Sequence, residues 1–111
     1  MKYFENGKTR GCFHEFVQGK WDEEALIFWS ADSLYLHDDV VIDLDLTSRL
    51  FKAAGVVFNN YGITKITLSD WNALVKQANE AGGEVLELIE ELRPWAEDNF
   101  QKNEVFTILG I

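Results

Sequence analysis

The spacing of apolar and polar positions changes part-way along the chain. Residues 12–17 form a short aromatic run bounded by Gly11 and Gly19. Residues 25–29 and 34–37 are two further apolar runs, the second reached through a Ser-Ala-Asp-Ser turn. Short runs separated by tight polar turns predict an antiparallel meander. Residues 40–46 alternate, with Val40, Ile42, Leu44 and Leu46 on one side and Val41, Asp43 and Asp45 on the other, the pattern of a half-buried strand. Leu34 and Leu36 then face the core. Tyr35, His37, Asp39, Asp43 and Asp45 share the outward face of two neighbouring strands.

Helical spacing follows. Residues 47–54 read as a short helix stopped by Gly55. Residues 56–58 and 63–68 read as extended, around an Asn59-Asn60-Tyr61-Gly62 turn. Ser69 is a good N-cap, and Trp71, Leu74, Val75 and Ala78 follow at i, i+3, i+4 and i+7. Gly82-Gly83 ends that helix. Residues 84–92 form another, with Val85, Leu88, Ile89 and Leu92 as its buried stripe and Glu84, Glu87 and Glu91 on the opposite face. Pro94 breaks or kinks it, and the helix can restart with Pro94 in its first turn. Residues 104–109 close as a strand. Strands, then helices, then a strand predict one α+β domain over residues 1–111: an N-terminal antiparallel β-meander, two or three C-terminal amphipathic helices packed on the sheet, and a closing C-terminal strand.

Composition adds that this chain can fold unaided. Hydrophobic residues are 47% and charged residues 26%, the balance of a packed globule and not of a disordered segment. The single cysteine, Cys12, excludes a disulfide framework and points to the cytoplasm. The opening Met1–Asn6 lacks the apolar stretch of a secretory signal. No apolar run reaches the roughly 18 residues that a membrane-spanning helix needs.

Charge narrows the partners. The net charge is −9, but residues 1–20 carry +2 and residues 21–111 carry −11. Between Asp22 and Asp45 there are eight acids and no Lys or Arg. Such a field repels phosphate backbones and anionic membranes, and it favours a basic protein partner. Like charges repel across one face, and no cation is interleaved among Asp39, Asp43 and Asp45. A basic partner relieves that cost. Glu84, Glu87 and Glu91, spaced i, i+3 and i+7, are the second-choice acidic surface.

Chemistry is sparse. Cys12 reads as a small core residue and His14 as a satisfied strand histidine. Paired Cys/His spacing for zinc is lacking. Asp43-Leu44-Asp45-Leu46-Thr47 begins like a calcium loop, but Ser48 and Ala54 stand where the loop needs Gly and Glu. No Gly-x-Ser-x-Gly elbow occurs, and Gly82-Gly83 lacks the Lys and Ser/Thr of a phosphate loop. The expectation is a protein with no catalytic residue, metal or cofactor. Trp21, Trp29, Tyr35, Tyr61 and Trp95 are aromatics without a settled core position, and aromatics beside carboxylates suit a protein–protein anchor.

A small acidic domain of this kind resembles bacterial immunity proteins, the type that includes barstar and the immunity proteins of contact-dependent growth inhibition. The local likeness to barstar covers about the last 40 residues. Asp70-Trp71 opens a helix, Asn79-Glu80-Ala81-Gly82-Gly83-Glu84-Val85-Leu86 breaks and restarts it, and Phe106-Thr107-Ile108-Leu109 closes as a strand. The first half departs from barstar, which is largely helical there, so barstar's binding residues are not carried over. The resemblance implies an immunity protein that neutralises a basic toxin domain, a nuclease, by occluding its active site. Tyr35, His37, Asp39, Asp43 and Asp45 are then the contact surface. The other expectation is a structural or regulatory module, homodimeric through its aromatics and the exposed edge of its sheet.

Overall fold

The computed structural model describes residues 1–7, 11–20 and 33–111. The expected strand over residues 25–29, with Phe28, and the aromatics Trp21 and Trp29 lie outside the described residues. Five strands form one sheet: β1 (Phe4–Glu5), β2 (Phe13–Gln18), β3 (Leu34–His37), β4 (Ile63–Thr67) and β5 (Val105–Leu109), in the order β1-β3-β2-β5-β4. All neighbouring pairs are antiparallel. The helices are α1 (Asp38–Asp43), α2 (Leu68–Ala81) and α3 (Gly83–Lys102), with a π-helix at Thr47–Lys52 between α1 and β4. The α+β class, the N-terminal meander and the C-terminal helices are as the periodicity predicts.

Strand alternation sends Phe16, Leu36, Ile66, Phe106 and Ile108 into one core. Trp71, Leu74 and Ala78 of α2 meet them there, with Val85, Leu88, Ile89, Leu92 and Ala96 of α3. Phe106 lies at the centre. Its ring stands 5.3 Å from Trp95, 5.7 Å from Phe100, 6.1 Å from Phe16 and 6.2 Å from Trp71.

Three boundaries differ from the sequence reading. Helix α2 starts two residues earlier than Ser69 predicts. Thr67 is its cap, in a capping box: Thr67 Oγ1 accepts from the Asp70 N–H and Asp70 Oδ2 accepts from the Thr67 N–H, each at 3.1 Å. Helix α3 does not break at Pro94 but runs through it for 20 residues. An interior proline costs about 3 kcal/mol. The buried Leu92 and Ala96 on either side, with half-buried Trp95 packed on Phe16 and Phe106, offset that cost. Finally, residues 40–46 are not a strand, because α1 occupies their first half.

Asn99 joins α3 to the sheet. It is fully buried on α3. Its Oδ1 accepts from the Gly19 N–H at 2.9 Å and its Nδ2 donates to the Val105 carbonyl at 3.1 Å. One amide thereby satisfies the backbone leaving β2 and the backbone opening β5. Asn99→Leu keeps the branched shape and orphans both groups, so it should cost about 3 kcal/mol. A urea titration should show the midpoint falling with the slope unchanged. A variant as stable as the parent would mean that water satisfies both groups.

Candidate functional site

Helix α1 is built from residues whose alternation favours a strand, and its anchors explain why. His37 ends β3 and caps the helix, its Nδ1 accepting from the Asp39 N–H at 3.0 Å. Asp38 and Asp39 fill the first turn, where the helix dipole favours carboxylates. The Asp38 N–H continues the β2–β3 ladder by donating to the Cys12 carbonyl at 2.8 Å. The Asp38 carboxylate meets Nε2 of buried His14 at 2.8 Å. Both histidines of the chain therefore hold the first turn of α1.

The consequence is a different sorting of side chains. Val41 and Leu46 are buried, Val40 and Leu44 are half-buried, and Ile42 is 65% exposed. The expectation that Ile42 faces the core is thus corrected: helical spacing puts Asp39, Ile42 and Asp43 on one outward face at i, i+3 and i+4. Asp45 follows in a turn with φ 50°, the left-handed region. The chain then enters the π-helix, a rare conformation that recurs at functional sites. Among the described residues, no Lys or Arg pairs with Asp39, Asp43 or Asp45. The ion pairs of Lys and Arg lie elsewhere, on Glu87, Glu90, Glu97 and Asp98.

Tyr35 does not join this face, whereas His37 borders it. Tyr35 stands edge-on to Phe13 at 6.4 Å. The His37 ring stands edge-on to Phe13 at 4.8 Å, and its Nδ1 lies 3.5 Å from the Asp39 carboxylate. Burial pushes the Tyr35 hydroxyl up from its ordinary 10.0, and neighbouring Glu15 adds to the shift. Gly11 lets His37 lie close, since a Cβ there would stand 2.4 Å from His37 Nε2. The expected strand face is thus divided: Tyr35 lies apart, His37 stays beside Asp39, and Asp39 and Asp43 flank Ile42 on the outward face of α1.

The second acidic row is occupied. Glu91 accepts from the N–H groups of Lys2, Tyr3 at 2.8 Å and Phe4 at 2.7 Å. Glu87 accepts from the Tyr3 hydroxyl at 2.8 Å and the Lys2 ammonium at 3.0 Å. Lys2, then Tyr3, hold the Glu87 carboxyl below its ordinary 4.5. Glu84 alone of the three stays exposed without such a partner among the described residues. The row latches the N-terminal strand to α3. Its partners lie more than 80 residues away, so local spacing gave no sign of them.

Cys12 is exposed, contrary to the core expectation. Among the described residues, no three His, Cys, Asp or Glu side chains converge as a metal set, and no helix is long and apolar enough to cross a membrane. Comparison with protein-family profiles, curated proteins and solved structures returns no match.

Two outcomes test these features. Asp45→Ala should lower stability by about 1 kcal/mol, while Asp45→Gly and Asp45→Asn should not, because only the last two adopt the left-handed backbone readily. Equal losses in all three would show that the carboxylate, not the backbone, is what the turn needs. The latch has a defined pH sign. Glu87 binds its proton less readily folded than unfolded, so its contribution is complete above about pH 4.5 and is lost as pH falls through the lowered value. The stability difference between wild type and Lys2→Ala should therefore shrink below pH 4.5, and also with added salt. A difference independent of both would show that Lys2 stabilises the latch by packing on Tyr3 and not through its ion pair with Glu87.

Proposed function

We propose that this chain is a binding protein of the immunity type, which neutralises a basic toxin domain, a nuclease, by laying the outward face of α1 over its active site. One observation carries the reading: an isoleucine 65% exposed on α1 on one face with Asp39 and Asp43, neither of which pairs with Lys or Arg among the described residues. An exposed apolar side chain beside unpaired carboxylates suits contact with a cationic partner, the apolar group supplying area and the carboxylates selecting charge. The −11 carried by residues 21–111 steers a cationic partner toward the domain and speeds encounter. Carboxylates presented together imitate the charge of a phosphate backbone, which is what a nuclease cleft attracts. Inhibition by occlusion requires no catalytic group from this chain. The anchoring of α1 through His14, His37 and the β2–β3 ladder supports the reading, because a pre-set helix loses little freedom on binding.

The test begins with capture from the source cell's lysate at low salt, then purification of the basic protein retained. That protein should lose its hydrolytic activity at one equivalent of the wild-type chain. Ile42→Ser with Asp43→Lys alters only exposed side chains and should weaken binding about thirtyfold or more. A partner that binds this variant as tightly as wild type, or stays active when saturated, would sink the proposal.

A further inference from the structure

Seven asparagines occur in the chain, and only Asn6 is followed by glycine. Asn6 and Gly7 lie just past β1, which ends at Glu5, and both are exposed. Among the described residues, the Asn6 side chain has no hydrogen-bond partner and no group accepts from the Gly7 N–H. A Cβ built on Gly7 would meet nothing within 4 Å, and the φ of Gly7 lies outside the left-handed region.

The other six asparagines stand in different surroundings. Asn72 and Asn79 lie in α2. Asn99 is buried on α3, its amide bonded to the backbone of Gly19 and Val105. Asn103 caps the end of α3, and its amide donates to Asn99. Asn59 and Asn60 precede residues that carry a side chain, Asn60 and Tyr61, and the Asn60 carbonyl accepts from the Ile111 N–H.

We propose that Asn6 is a site of spontaneous covalent modification, where the chain loses a side-chain amide through a cyclic imide. The Gly7 amide nitrogen attacks the side-chain carbonyl carbon of Asn6. A bond forms between these two atoms and the bond to Nδ2 breaks. Nδ2 leaves as ammonia, carrying the proton that the Gly7 nitrogen gives up. Water then opens the ring. Addition at the side-chain carbonyl gives aspartate. Addition at the main-chain carbonyl gives isoaspartate, with the backbone routed through the side chain.

The attack needs a nitrogen that can swing onto the side chain and a neighbour that does not crowd it. Helical and paired backbones hold the two atoms apart. A glycine after the asparagine removes the crowding and frees the backbone. Asn6-Gly7 meets both conditions. Each event exchanges an amide for a carboxylate and takes the net charge one unit below −9. The ties of the N-terminal strand to Glu91 run from Lys2, Tyr3 and Phe4, all upstream of the reacting pair. The modified chain therefore keeps its fold, and Asn6→Asp should unfold at the urea midpoint of the parent.

This proposal is independent of the inhibitor reading, because it needs no partner. Its test incubates the full chain at mildly alkaline pH, native and in guanidinium chloride, with tryptic mapping over time. The segment from Tyr3 to Lys8 should gain one mass unit and split into two products of equal mass. The rate in the native chain should match that in denaturant, and the six other asparagines should stay intact in the native chain. Gly7→Ala fits the open space and the backbone, so it should fold normally and lose most of the conversion. A native chain that keeps Asn6 while the denatured chain converts overturns the proposal, since the fold would then hold the Gly7 nitrogen away. Conversion spread evenly over the seven asparagines also overturns it, as does undiminished conversion in Gly7→Ala.

Discussion

The ring of Phe106 is the contact on which the rest of the core depends. It touches an aromatic from β2, one from α2 and two from α3. Area and edge-to-face geometry act together there, since a buried aromatic contributes both. Asn99 adds direction to that packing, because an amide satisfies only backbone groups presented at the right angle. Rings set how closely α3 approaches the sheet, and the amide sets where along the sheet it sits.

Within that frame, the chain treats its acids in two ways. Glu87 and Glu91 are absorbed: they neutralise backbone N–H groups and a lysine, and they tie the first strand to the longest helix. Asp39, Asp43 and Asp45 are left outward on a helix that both histidines hold in place. The first group is used up by folding. The second meets no Lys or Arg among the described residues, and that difference favours the face of α1 over that of α3 as the surface for a cationic partner.

Much of the architecture could be read from spacing. Trp71, Leu74 and Ala78, like Val85, Leu88, Ile89 and Leu92, repeat with the helical period because each helix presents one stripe to one core. Strands β2, β3 and β5 were legible as short runs between turns. Helix α1 was not. Val40 and Val41 favour strands, histidine is an unusual cap, and the His14–Asp38 contact joins residues 24 apart, so local propensity lost to tertiary anchoring. A strand over residues 40–46 assigns Ile42 to the core, whereas helical spacing turns it outward. The legible hint is the pair of acids directly after β3, which suits a helix N-terminus. Charge alone picks out the three aspartates, and strand alternation then adds Tyr35, which lies apart, and His37, which does border Asp39.

The strand order has a temporal side. β5 is made after β2, β4, α2 and α3, yet it lies between β2 and β4. As the chain leaves the ribosome, β2 and β3 can pair at once. β4 meets no neighbour until α2 and α3 have followed it out. Throughout that interval β4 lacks its pairing strand, and the helices can close only on the π-helix and the β2–β3 face. Such a nascent chain stays exposed to misassembly until its central strand arrives.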